Sequence, residues 1–334
     1  MKETKALPEN FPFETKLKYK RENWYTDPQF GCAPNERSPK DLLEYGVVNL
    51  DKPANVNSHQ LTSHLRVVFD VEKIGHGGTL DPDVSGILPI ALEEATPITR
   101  VWLESDKEYV GVMRLHEEVE RKELLSVLTE FEGLIYQFPP KASSVKRRVR
   151  KRKIYQLQLL EIRGKDVLVQ VNCESGTYIR KLFHDIGEVL GTGAHMADLR
   201  RTKSGPFQEN GTLKTVQDLL DAWHFYNEEK EERYLTEVFL PPETGVLHLS
   251  RVILDDGAIG AVTHGAPIYV PGIIAISPEV EEDTIVAAFS AKGELVALVT
   301  ARKSAVEAVK QTEGQFSGKM RVLMERGIYP GAWK

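Results

Sequence analysis

The sequence predicts an α+β protein: a mixed, mainly antiparallel central sheet with flanking helices, followed by a small C-terminal β-barrel. Three observations predict it. Between about residues 45 and 240, stretches of period-two alternation are interleaved with stretches of helical spacing. Pro241-Pro242 then punctuates the chain, and the remainder is rich in Val, Ile, Ala and Gly. Within that last part, Thr284 to Phe289 and Glu294 to Thr300 flank Lys292-Gly293 as the arms of a hairpin would. The expected division is an extended arm over 1–44, a larger domain over 45–240 and a small one over 241–334.

Each element follows from local pattern. Residues 1–44 are rich in Pro, Asn, Lys and Glu with little periodicity, and read as the arm. Gly46 to Leu50 is a short apolar strand. Gln60 to Phe69 has Leu61, Leu65 and Val68 on one helical face. Tyr109 to Leu115 reads as strand, and Lys122 to Phe131 as helix, with Leu124, Leu125, Leu128 and Phe131 in register. Ile154 to Ile162 and Asp166 to Cys173 alternate as paired strands. Tyr178 to Leu190 is the clearest helix: Ile179, Leu182, Phe183, Ile186, Val189 and Leu190 form its stripe, and Gly191 follows as a stop. Thr215 to Phe225 is a further short helix.

The bulk properties exclude several classes. The 334 residues are 41% hydrophobic and 28% charged, an ordinary globular balance. No apolar run approaches the roughly 20 residues needed to span a bilayer, and the N-terminus carries no signal-peptide core. Cys32 and Cys173 stand far apart, with no metal-ligand spacing, so neither a disulfide framework nor a structural zinc is expected. The two lone thiols fit a reducing compartment such as the cytoplasm. The formal net charge is −6, which is adverse for a nucleic-acid binder. Distribution offsets it: Lys146 to Lys153 holds seven basic residues in eight. The strand-like Ile154-Tyr155 that follows makes this run one arm of a basic hairpin beside a cleft, rather than a solvated tail.

The most informative string is Gly75-His76-Gly77-Gly78-Thr79-Leu80-Asp81-Pro82, followed by Gly86, Leu88 and Pro89. It fixes one carboxylate at a sharp glycine-rich bend, with Pro82 restricting the residue before it. No Gly-Lys-Ser/Thr closes it as a phosphate loop. An EF-hand would need its bidentate Glu where Leu92 stands, one residue short of Glu93. Asp81-Pro-Asp83 also imitates the aspartate pair of an aspartyl phosphotransferase. The missing apolar strand before it leaves that as the weaker alternative.

In its longer context the string resembles the catalytic loop of TruB-type pseudouridine synthases, in particular their archaeal and eukaryotic, dyskerin-like branch. The resemblance spans nearly the whole chain. It takes in Asn23-Trp24-Tyr25-Thr26-Asp27-Pro28, Val47-Val48-Asn49-Leu50-Asp51-Lys52-Pro53, Lys107-Glu108-Tyr109-Val110-Gly111 and Pro139-Pro140 with Ser143 and Val145-Lys146-Arg147-Arg148. It continues through Gly176-Thr177-Tyr178-Ile179-Arg180, Leu199-Arg200-Arg201-Thr202, Thr263-His264-Gly265-Ala266 and Val270-Pro271-Gly272.

The resemblance implies a pseudouridine synthase fold with a C-terminal PUA domain, on which the arm would pack. It implies isomerisation of uridine to pseudouridine in RNA, with no cofactor or metal. Asp81 would be the catalytic carboxylate. Arg180 would hold it ionised: an Arg near a helix N-terminus is disfavoured by the dipole and calls for a partner. Tyr109 would stack on the flipped uracil and serve proton transfer, a role that suits a ring carrying a hydroxyl. His76 would support the flipped nucleotide, Leu199 would wall the base, and Lys52 would bind substrate. Lys146, Arg147, Arg148, Arg150, Lys151 and Arg152 would contact RNA backbone. Gly265 and Gly272 would let the guide RNA approach the PUA backbone. The implied partners are guide RNA, substrate RNA and the small protein subunits of the H/ACA particle. A catalytically weak RNA-binding scaffold and a stand-alone tRNA enzyme remain as alternatives.

Departures from the pattern are local. Ala54-Asn55-Val56-Asn57-Ser58 replaces the usual Pro-Gly and Thr-Ser, with Asn55 suited to positive φ. Gly78 replaces a small hydroxyl residue, and Asp83 stands where a basic residue is common. Glu279, Glu281, Glu282 and Asp283 cluster in the PUA-like part. These acidic positions bear on RNA affinity more than on chemistry.

Overall fold

The computed structural model describes residues 17–21, 24–139, 146 and 148–331. Its contacts divide into two compact units: 48–90 with 99–231, and 1–47 with 91–98 and 232–334.

The larger unit is organised on a ten-stranded sheet. Eight strands run in the order Leu213–Thr215, Val47–Lys52, Ser85–Leu92, Ala194–Ser204, Lys107–Leu115, Asp166–Cys173, Arg150–Arg163 and Gly133–Gln137. Ile74–His76 and Phe207–Gln208 pair beside this path. Most pairings with a defined register are antiparallel, whereas Leu213–Thr215 with Val47–Lys52 and Ser85–Leu92 with Ala194–Ser204 are parallel. The sheet is therefore mixed.

The helices form where polar caps meet apolar stripes. Asn57 accepts from the backbone N–H groups of His59 and Gln60 and opens Ser58–Val68, which buries Leu61, Thr62 and Leu65. Arg121–Glu130 buries Leu124, Val127 and Leu128. Ile179–Val189 buries Ile179, Leu182, Phe183 and Ile186 against Met113, Val169 and Val171 of the sheet. Gly191 leaves this helix at φ +74°, the left-handed exit expected of it. Val189, which the helical spacing assigned to the stripe, is instead 56% exposed, because the stripe turns off it in the last turn.

The smaller unit carries six strands in the order Lys18–Tyr19, Ile273–Ile276, Ser250–Leu254, Ile285–Ser290, Leu295–Ala301 and Ser317–Val322. Their inward residues, with the helix Asp256–Thr263, close an aliphatic core that includes Val252, Leu254, Ile259, Val286, Val299 and Phe316. The hairpin turns at Gly293 with φ +91°. Residues of the N-terminal segment belong to this unit: Lys18–Tyr19 pairs with Ile276 and Ala275, and Thr26 Oγ1 donates to Asp256 at 2.9 Å. Arg37 and Glu243 form a buried bidentate pair at 2.5 and 2.7 Å, and Glu243 also accepts from the Leu295 N–H.

Candidate active site

The glycine-rich string becomes a loop held at three points around Asp81. Gly78 takes φ +119°, a conformation that glycine adopts without strain. The buried Ser58 hydroxyl donates to the Leu80 carbonyl at 2.9 Å and accepts from the Leu80 N–H at 3.0 Å. On the far side, the Lys52 ammonium donates to the carbonyls of Pro82, Val56 and Pro53 at 3.0, 2.7 and 2.8 Å. The third tie is Arg201, whose Nη2 reaches the Gly78 carbonyl at 2.9 Å. A turn with Asn55 at φ +64° allows the Val56 carbonyl to take part.

The tie at Pro82 corrects one expectation. Lys52 is fully buried, and its three protons are matched by three backbone carbonyls. It braces the loop and has no donor left for a substrate.

The loop presents Asp81 outward. Arg180, in the first turn of Ile179–Val189, donates from Nη2 to Asp81 Oδ2 at 2.9 Å, so the expected pairing is present. Both side chains are more than half exposed. The carboxylate is therefore open to water in this structure. A cleft beside the pair is lined by Arg180, Asp83, His184, His195 and Leu199. Leu199 is 6% exposed and leans on Gly111, where a Cβ would come within 2.7 Å of its Cδ1.

Tyr109 lies two residues before Gly111 on the same strand, directly opposite Arg201 across the ladder. Its ring keeps some exposed surface, while burial raises the pKa of its hydroxyl, and Arg201 partly opposes that rise. The hydroxyl is thus a neutral phenol at pH 7. His76 is held neutral as well: burial, then the charges of His59 and Arg201, lower its pKa to about 4. His76 Nε2 faces His59 Nδ1 at 3.5 Å, and its buried Nδ1 has no partner among the described residues.

The basic run is split by strand alternation. Arg150–Arg163 pairs with Gly133–Gln137, so Lys151 sits opposite Tyr136 and Arg152 opposite Ile135. Lys151 and Lys153 point to solvent over the exposed rings of Tyr136 and Tyr155, at 5.7 and 5.5 Å. Arg150 and Arg152 are half-buried, and Arg152 stands 3.8 Å from Glu174. Lys146 and Arg148 are exposed, and Arg147 lies outside the described residues. In the smaller unit, Gly265 has φ +94° with open space where a Cβ would lie. Gly272 is different: a Cβ there would meet Ala258 at 2.6 Å, so the close approach it permits is by its own chain.

Two site residues escaped sequence reasoning. Ser58 was visible only as a departure from pattern, and Arg201 only as one of two adjacent arginines. Their tasks depend on the Leu80 and Gly78 backbone, 22 and 123 residues away in the chain.

Comparison with known proteins identifies the family. Residues 66–179 match the TruB family pseudouridylate synthase N-terminal domain, and 180–247 match the tRNA pseudouridylate synthase B C-terminal domain. Residues 250–322 match a PUA domain, and 9–62 a DKCLD domain. A Methanopyrus kandleri protein named "Probable tRNA pseudouridine synthase B" is 49% identical over 92% of this chain and 91% of its own length. A Pyrococcus horikoshii protein of the same name is 45% identical over 98% of both. The chain belongs to the TruB family of pseudouridine synthases, in its dyskerin-like branch. Among solved structures, one titled as a Cbf5-Nop10-Gar1 complex superposes with a TM-score of 0.92 at 44% identity, covering 98% of each chain. Another, of an H/ACA RNP bound to a substrate RNA containing 2'-deoxyuridine, gives 0.91 at 43%, covering 96% of this chain and 98% of the other.

Proposed function

We propose that this chain isomerises uridine to pseudouridine in RNA as the catalytic subunit of a guide-RNA-directed particle. The single observation that carries the reading is the Asp81–Arg180 pair at 2.9 Å, held at the lip of a cleft by a loop braced on both sides. The reaction breaks the bond from C1′ to N1 of the base, turns the base, joins C1′ to C5, releases the C5 proton to water and leaves a proton on N1. It needs one carboxylate at the sugar, and the Arg180 guanidinium holds Asp81 in place through Nη2. The target uridine must leave its stack, at a cost of a few kcal/mol. Leu199 would wall the base, Tyr109 would stack on it and His76 would support the nucleotide as a neutral ring.

The assignment of tasks along the chain belongs to the same reading. Residues 45–240 would carry the chemistry and 241–334 would hold the guide, with Gly265 at the contact. The arm, 1–44, would complete the latter domain. Lys146, Arg147, Arg148, Lys151 and Lys153 would neutralise RNA phosphates, aided by the exposed rings of Tyr136 and Tyr155. The solved relatives' partners, Nop10 and Gar1, supply the chemical class of the protein subunits. Among the described residues no helix is long and apolar enough to cross a membrane, and a cytoplasmic particle fits that.

A second reading, a stand-alone tRNA enzyme, is favoured by the names of the curated relatives. One experiment separates the two: tritium release from RNA labelled at uridine C5. Release that requires guide RNA and partner proteins supports the guided enzyme. Release from tRNA by the chain alone supports the other. No release from either substrate, with guide RNA still bound, would leave only a scaffold.

A further inference from the structure

Arg201 is buried to 2% exposure and forms no ion pair among the described residues. Its Nε donates to the Ile87 carbonyl at 2.7 Å and its Nη2 to the Gly78 carbonyl at 2.9 Å. Its neighbour across the ladder is Tyr109. Residues directly opposed across antiparallel strands project from the same face, and Tyr109 is opposite Arg201. On its other edge Arg201 pairs with Gly86, where a Cβ would lie 2.3 Å from the Arg201 carbonyl oxygen. Only a glycine lets the strand after the loop close this tightly.

A buried guanidinium without a carboxylate is a costly way to fill space, and an apolar side chain would pack as well. What an apolar residue could not do is hold two other groups at once. Gly78 is three residues before Asp81, on the loop that presents it. Tyr109 is on a separate strand. Arg201 is hydrogen-bonded to the first and faces the second across the ladder.

We propose that Arg201 is a positioning residue that locks the Tyr109 hydroxyl to the loop carrying Asp81, so that the group on the base and the group at the sugar keep one geometry. The inference rests on the roles proposed for Asp81 and Tyr109. A planar, multi-donor group suits it, because one guanidinium can serve several acceptors in fixed directions.

The test is a double-mutant cycle on single-turnover pseudouridylation with bound guide and partner proteins. Arg201→Lys keeps the charge and loses the fork. It should lower the rate at saturating RNA at least tenfold while RNA affinity stays within twofold. In a Tyr109→Phe background the same change should cost less than twofold more, because the hydroxyl it positions is gone. Multiplicative effects of the two changes, or a loss carried by RNA affinity, would overturn the inference. Should Arg201→Lys not fold, Tyr109→Phe alone decides: unchanged turnover means there is no hydroxyl worth positioning. Wild-type rates in Arg201→Lys, beside an inactive Asp81→Asn, would remove this inference and leave the functional reading intact. An inactive wild type would remove both.

Discussion

Two arginine–carboxylate pairs, one in each unit, use the same chemistry for opposite ends. Arg37 and Glu243 meet through two hydrogen bonds with Glu243 1% exposed, and a backbone N–H takes up the same carboxylate oxygen. Arg180 and Asp81 meet through one hydrogen bond, and both remain more than half exposed. An exposed pair contributes about 0–1 kcal/mol to stability, because water and salt screen it. A buried pair is different: breaking it strands a charge and costs about 3–5 kcal/mol. The first pair fastens the N-terminal segment to the fold. The second is left open, with Asp81 Oδ1 making no hydrogen bond among the described residues, and the backbone around it receives the bracing that the pair itself does not supply.

Removing the carboxylate from each pair should break the comparison in opposite directions. Asp81→Asn is expected to lower turnover by roughly three orders of magnitude or more. Guide and substrate RNA should still bind, and the thermal midpoint should stay within a degree or two, since little stability rests on a screened pair. Tritium release and calorimetry on the same preparation check both halves. A cooperative loss of folding in Asp81→Asn would refute the division of labour.

Glu243→Ala leaves the Arg37 guanidinium buried and the Leu295 N–H without its acceptor. The expected loss is about 3–5 kcal/mol in denaturant unfolding. The single-turnover rate at low temperature should be unchanged for the molecules that remain folded. A rate that fell with stability intact would mean that this pair, too, serves the reaction.

Arg180→Lys sharpens the comparison further. A lysine retains the charge and loses the planar fork. The rate should fall by about tenfold, and stability should move by less than about 1 kcal/mol. The equivalent Arg37→Lys should show the reverse, with a clear loss of stability and little change in rate.

How much of this was legible in the sequence depends on where each residue finds its partner. Helices whose stripe and cap are local were readable to within two residues: Ser58–Val68 begins slightly early only because Asn57 caps it. The strand Ser85–Leu92 was not readable, because Gly86 and Pro89 interrupt the pattern that marks a strand. Nor was Ala194–Ser204, whose His195, Asp198, Arg200, Arg201 and Lys203 suggest surface. Arg200 is in fact bidentate to Asp51 and Arg201 is buried on carbonyls, pairings that no local pattern encodes. A cation at a helix N-terminus is locally out of place, which called for some partner for Arg180; that the partner is Asp81 came from the family resemblance and not from local pattern. Lys52, assigned to substrate through the resemblance, instead turns inward, because its three acceptors exist only once the loop has folded over it.

The smallest expected effect concerns His76, which the site keeps neutral. Its folded pKa of about 4 lies below the ordinary value near 6.5. Between those values the unfolded chain binds a proton that the folded chain refuses. Stability from this group is therefore complete above about pH 6.5 and is lost as pH falls towards 4. The physical reason is visible: Nδ1 is buried without a partner among the described residues, so a proton placed there would be stranded. Carboxylates titrate in the lower part of the window, so the observable is a difference. His76→Phe keeps a flat ring and removes the proton site. The gap in thermal midpoint between wild type and His76→Phe should close as pH rises from 4 to 6.5 and then stay constant. RNA affinity of the Phe variant at pH 7 should match wild type, because a neutral ring already stands there, while His76→Ala should lose about 1–3 kcal/mol of stacking. A phosphate-binding imidazolium would give the opposite pattern: affinity lost in the Phe variant at neutral pH and strengthening in wild type on acidification.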